Sequence, residues 1–222
     1  MYTIISCFQI VCIIITGGCA YLISQNKTLK ETRGRDTWLL TAGSIFITQC
    51  GYALYLQAVS LEGLQIARKV YLIAGVAALA FWIVTVASEN SRVKIAATIG
   101  ALIAACFIGI DSLDRYLFRD AQLKQNQYFY YIEESKQTLY YAGRWILSVL
   151  LAGMVISILL KKTQIRIFQG TSRIWFAVAT LLPCMILVLG DLAAPKQYPM
   201  MIPALTVACI FAVTGLYKED KK

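Results

Sequence analysis

Residues 107–118, FIGIDSLDRYLF, end an oily run with two carboxylates and a guanidinium: Asp111, Asp114 and Arg115. Asp111 and Asp114 are three apart and Asp111 and Arg115 four apart, so a helix continuing through them sets all three on one side. Carboxylates beside a fixed cation suit three tasks: an ion-pair network closing the end of a bundle, the polar floor of a ligand pocket, or acid–base chemistry. Catalysis is the weakest of these. The chain contains no histidine, which removes imidazole proton transfer, histidine metal ligation and phosphohistidine chemistry. A carboxylate left alone in hydrocarbon costs several kcal/mol, so these groups must face protein or water. Arg68 and Lys69 at the start of one apolar segment, Arg115 itself, and Arg144 at the start of another are the available cations.

Other polar side chains gather at the same level. Gln49 and Tyr52 are three apart on one apolar segment, and Gln57 lies eight beyond Gln49, turned by roughly 80°. They make a broad polar side that prefers protein to lipid, either as interhelical hydrogen bonds or as a pocket wall. Tyr71, Tyr140, Tyr141 and Trp145 add an aromatic rim suited to a partly apolar ligand. The stretch LLPCMILVLGDLAAP places Pro183 inside an apolar run and Gly190–Asp191 at its end. The proline frees one carbonyl and favours a bend, read either as a static kink or as a hinge.

The elements that must position these groups are membrane helices. Of 222 residues, 59% are hydrophobic and only 15% charged, and the mean hydropathy is +0.64, a membrane composition. A bilayer core of roughly 30 Å needs about 20 helical residues, and apolar runs of that order fall at 2–24, 37–59, 67–88, 94–115, 141–161, 171–190 and 198–217. The reading is an all-α integral membrane protein, a single seven-transmembrane-helix bundle over 1–222. The first run lacks a basic front and a cleavage pattern, so it reads as a retained helix. One set of connections, with the C-terminal tail, carries 13 basic residues and the other set eight, which places the N-terminus outside and the C-terminus inside. Trp38 and Trp175 fall at inner span ends and read as headgroup anchors. The net charge of +9 is spread over these short loops, so no nucleic-acid partner is expected. The seven cysteines all lie in apolar runs without metal-ligand spacing and read as small core or lipid-facing residues.

The connection 116–140 is long for a linker. Within it YFYYIEESKQTLYY divides into two arms, 128–132 and 137–141, around EESK, which reads as a short hairpin over 128–141 lying on the outer helix ends. It is either a tyrosine-rich interfacial belt or a lid over an outward cavity.

Several classes drop out. The last span has no lysine for a retinal Schiff base, no G-x-S-x-G elbow appears, and no glycine-rich nucleotide loop is present. The seven-span order, basic first inner loop, long fourth-to-fifth connection, YYAGRW entry to span five and the proline of LLPCMILVLGD together resemble the N-terminal seven-helix sensor regions of bacterial histidine kinases and related signalling proteins. The resemblance implies a stimulus received in the outer half, a last span that passes the change inward, a bacterial plasma membrane, and Arg144 and Asp191 as sensory or network residues. The chain departs from it in having no histidine near SLDRYLF and in ending at KEDKK without a kinase, cyclase or regulator module, so the output is expected from another domain or protein.

The resulting expectation is a sensory receptor, not an enzyme, with no cofactor or metal. An extracellular small molecule, short peptide or lipid-like ligand would bind among Gln49, Tyr52, Gln57, Arg68, Asp111, Asp114, Arg115, Tyr141, Arg144 and Asp191. A cytoplasmic signalling partner would read the change, and a homodimer is compatible with it. The competing classes are a small membrane carrier and an assembly factor without a ligand.

Overall fold

The computed structural model describes residues 2–26, 29, 35–87, 91–125, 129–163, 168, 170, 172–193 and 200–220. In chain order the elements are α1 (Tyr2–Gln25), α2 (Arg35–Gln57), α3 (Leu61–Val86), α4 (Ser91–Gly109), the single turn α5 (Asp111–Asp114), strands β1 (Phe118–Gln125) and β2 (Tyr130–Lys136), then α6 (Thr138–Leu159), α7 (Arg173–Ala193) and α8 (Met201–Asp220).

Among the described residues six helices, not the expected seven, are long and apolar enough to cross a bilayer: α1, α2, α3, α4, α6 and α8. The exception is α7. Its apolar stretch runs Arg173–Leu189, 17 residues, which at 1.5 Å per residue gives about 26 Å against a hydrocarbon core of roughly 30 Å. Seven spans would have put the two termini on opposite sides; with six qualifying helices among the described residues that no longer follows, and the basic bias alone does not fix the orientation.

The chain is a multi-pass α-helical membrane protein. On α4 the only buried residue is Ile108, while Ile95, Ile99, Leu102 and Ile103 are all more than half exposed. A helix with so much outward apolar surface is stable where that surface meets lipid. Packing runs through neighbouring pairs: α4 on α3, α3 on α2, α2 on α1, α1 on α8, α8 on α7 and α7 on α6. The α2–α3 contact is the most extensive. A Cβ on Gly51 would stand 2.9 Å from Val70 Cγ1 and 3.0 Å from the Tyr71 backbone nitrogen, so only hydrogen fits between these helices. Ser60 caps α3 by accepting from the Gly63 N–H at 3.1 Å, turning the chain sharply after Gln57.

Two polar or aromatic centres fix the interior. Gln49 Nε2 donates to the Ile202 carbonyl at 2.8 Å and to Thr206 Oγ1 at 2.7 Å, while Gln9 Nε2 donates to the Gln49 carbonyl and to Gln49 Oε1 at 2.8 Å each. This ties α1, α2 and α8 together inside the bundle. At the end away from the strands, Trp38, Trp82, Phe168 and Phe176 pack edge-on and stacked with centroids 5.0–6.0 Å apart, and Trp82 Nε1 donates to Thr180 Oγ1 at 2.9 Å. Trp38 is 3% exposed; it is a core residue and not the headgroup anchor its position suggested. Trp175 stays partly exposed, with the Lys218 ammonium 4.2 Å from its ring centroid.

The strands form an antiparallel pair in which Phe118 faces Lys136 and Gln125 faces Tyr130. The expected arms 128–132 and 137–141 are displaced: EESK lies inside β2, and Thr138 already begins α6. The polar FRDAQLKQ supplies the other strand, with little β propensity of its own, and the aromatic TLYY joins the apolar run behind it as helix.

Candidate functional site

The site begins where α4 stops. Ile110 takes an extended backbone, φ −91 and ψ 117, so the expected continuous helix through Arg115 is broken after Gly109 and a separate turn carries Asp111 and Asp114. The break aims the two carboxylates at adjacent residues of α3. Asp111 pairs with Lys69, and Asp114 Oδ2 lies 2.6 Å from Arg68 Nη2. Arg68 is 3% exposed and needs further compensation for its desolvation. Its Nη1 pairs with Glu134 of β2, and its guanidinium lies 4.5 Å from the Phe118 ring centroid on β1. One arginine thus joins α3, the α5 turn and both strands.

The hairpin is shaped to deliver Glu134. Between the pairs Arg119–Ser135 and Gln122–Glu133 the register shifts, so Asp120 and Ala121 stand opposite Glu134 alone. Asp120 has φ 55, a left-handed conformation that aspartate tolerates better than most residues. Such a bulge bends its strand and re-aims neighbouring side chains. Beneath β2 the Ile132 N–H donates to Tyr55 Oη at 2.9 Å. Phe129 joins a buried cluster with Tyr52, Tyr55, Leu56, Leu64, Ala67 and Ile202. The hairpin is therefore fastened on both a polar and an apolar side.

Between these pieces opens a cleft of about 590 Å³ lined by Gln65, Arg68, Lys69, Asp111, Asp114, Arg115, Tyr116, Phe118, Arg119, Asp120 and Ala121, within the size range of small-ligand sites. The Lys69 ammonium, through its hydrogen bond and then its charge, holds the exposed Asp111 carboxyl below the usual carboxylate range. Arg115 lies 5.3 Å from the Tyr116 ring centroid. Among the described residues no group of three potential ligands is placed to hold a metal ion, and the cleft offers charges and hydrogen-bonding groups.

Of the ten residues expected in the site, Arg68, Asp111, Asp114 and Arg115 line the cleft. Gln49 is fully buried in the α1–α2–α8 network, away from it. Tyr52 is fully buried and stacks on Tyr55 at 5.8 Å. Gln57 is exposed at the end of α2. Tyr141 is exposed on α6, edge-on to Tyr140. Arg144 donates to the Leu187 carbonyl and, at 3.4 Å, to the Val188 carbonyl, joining α6 to α7. Asp191 belongs to the last turn of α7, and its side chain lies outside the described residues. The reading missed Glu134, Arg119 and Asp120, because they sit on strands whose pairing it placed elsewhere. The Gln65, Arg68, Lys69 spacing at the start of α3 was the one sequence pattern pointing to that wall.

No protein-family model matches the chain, and no curated protein matches it. The resemblance to the seven-helix sensor regions of histidine kinases is corrected accordingly: six helices qualify as spans, and no match ties the chain to that family. The two-component setting and the bacterial source that it implied fall with it.

Proposed function

We propose that this membrane protein is a ligand receptor without enzymatic activity: a small polar or amphiphilic molecule occupies the cleft, and occupancy changes how the strand hairpin sits on the helix ends. The observation that carries this reading is that the cleft wall is shared. Arg68 and Lys69 come from α3, Asp111 and Asp114 from the α5 turn, and Phe118, Arg119 and Asp120 from β1. A ligand touching all three bears directly on their relative positions, and it transmits a change to the extent that it prefers one arrangement over another. A partner protein at the far ends of the helices would read that change.

The competing carrier reading needs a route through the bundle. What favours reception is the packed interior between the cleft and the opposite end, where the Gln9–Gln49–Thr206 network and the aromatic cluster leave an apolar space of about 40 Å³ beside Pro183. The test is a thermal-shift panel of polar metabolites, short peptides and lysophospholipids on the full chain in nanodiscs. Any hit is followed by hydrogen exchange of the hairpin amides and by flux into sealed vesicles. Reception predicts a hit that slows exchange in Phe118–Gln125 and Tyr130–Lys136 without flux. Accumulation inside vesicles would establish the carrier instead.

A further inference from the structure

The unmet hydrogen-bonding capacity of the cleft specifies its ligand more closely. Arg68 and Asp114 make only half of a bidentate fork. Nη2 reaches Oδ2 at 2.6 Å, but Nε of Arg68 and Oδ1 of Asp114 are both buried and have no partner among the described residues. An arginine–carboxylate pair ordinarily closes both bonds, and an orphaned buried donor beside an orphaned acceptor is costly. Neither atom has accessible surface in this structure, so a ligand group reaches them only when the hairpin shifts on α3; a hydroxyl, which accepts from Nε and donates to Oδ1, then answers both.

The rest of the wall adds a charge requirement. Four cations and three carboxylates line the cleft. Arg68 and Lys69 are held by Asp114, Glu134 and Asp111, whereas Arg115 and Arg119, both exposed, enter no ion pair among the described residues. Two exposed arginines lining one cleft match an oxyanion that offers several acceptor oxygens, and phosphate is the commonest such group. Tyr116 and Phe118 on the same wall present apolar surface next to it.

We propose that the cleft binds a phosphate ester carrying a free hydroxyl, as in a glycerol- or sugar-phosphate, with the phosphate on Arg115 and Arg119 and the hydroxyl between Arg68 Nε and Asp114 Oδ1. This rests on the receptor reading only for the place of binding. The same chemistry comes from two sources, a soluble polyol phosphate or the headgroup of a phosphatidylglycerol-type lipid whose chains run down the outward apolar surface of α4.

The test uses the full chain in phosphatidylcholine nanodiscs and titrates glycerol 3-phosphate, inorganic phosphate and phosphocholine. Native mass spectrometry on protein exchanged into mixed phosphatidylglycerol and phosphatidylcholine supplies the lipid arm. The expected result is that glycerol 3-phosphate binds at least about tenfold tighter than either probe that lacks an alcohol hydroxyl, or that phosphatidylglycerol is retained in preference to phosphatidylcholine; the first outcome names the soluble source and the second the lipid. The double variant Arg115→Gln/Arg119→Gln weakens this about tenfold or more, and Lys124→Gln, on the hairpin beside Glu133 and outside the cleft, changes it less than about twofold. Both arginines are exposed, so the double variant retains the fold. Equal binding of all three probes with no lipid preference, or full binding by the double variant, overturns the proposal. Glycerol 3-phosphate binding with accumulation inside sealed vesicles keeps this inference and removes the receptor reading. A peptide that slows exchange, with no phosphate ester bound, does the reverse.

Discussion

Arg68 carries more of the site than any other side chain, because it is buried and answers two carboxylates from different elements. Truncation to Met leaves Asp114 and Glu134 facing each other's charge in a poorly hydrated place, and loss of one partner from a largely buried ion pair costs about 3 kcal/mol. Arg68→Met is therefore expected to lower the thermal midpoint and to speed hydrogen exchange in Tyr130–Lys136, with a smaller effect for Glu134→Gln, which removes one of the two negative charges and leaves Arg68 paired with Asp114. Asp111 behaves differently, since its side chain is 91% exposed. Its pKa lies below the unfolded value of about 3.9, so the Lys69–Asp111 contribution is fully present above that value and disappears as pH falls through the depressed one. The pair is expected to stay intact from pH 7 to pH 5, and Lys69→Met should raise the Asp111 titration followed by carboxyl carbon NMR. At this scale the sequence was informative: a carboxylate at the end of an apolar run must find a cation, and Arg68 and Lys69 were two of the four available, with Arg115 and Arg144. The assignment of each acid to its own base followed only from the backbone break at Ile110, which no residue type there announces.

The elements show where reading by period succeeds and where tertiary contacts take over. Long apolar runs became helices close to their expected bounds, because twenty such residues have few other stable forms in a bilayer. The polar side of α2 was also recognisable, but its purpose was not. Gln49 serves helix association, and Gln49→Leu is expected to destabilise the bundle by about 1–2 kcal/mol in detergent unfolding while leaving cleft binding unchanged. Loss of cleft binding in that variant would show that the two sites are linked. Gly51 marks the α2–α3 crossing. Gly51→Ala puts a methyl 3.0 Å from a backbone nitrogen that cannot rotate away, so a loss of about 1–3 kcal/mol is expected in the same assay. The hairpin was expected in the right connection with the wrong partners. FRDAQLKQ pairs as a strand because Arg68, over the Phe118 ring, and the half-buried β2 hold it there, which is information from two other segments.

Across the whole molecule, the helix count decides how far the sequence could be pushed. The expected sixth span, 171–190, does not qualify as a membrane-crossing helix among the described residues, and with it went the side assignment and the family resemblance. What persists is a bundle with one polar, hairpin-covered end and one aromatic, closed end, and that asymmetry was visible as the clustering of charge around 107–144. The account stands on the cleft being an occupied, partly wet hollow and not a collapsed ion-pair seal. An experimental density map of the full chain in nanodiscs tests this most directly. The account predicts non-protein density bounded by Arg68, Asp114, Arg115 and Arg119 under the hairpin. A solid helix end, with Arg68 and Asp114 closing their fork completely and Arg115 and Arg119 turned apart into solvent, would contradict it.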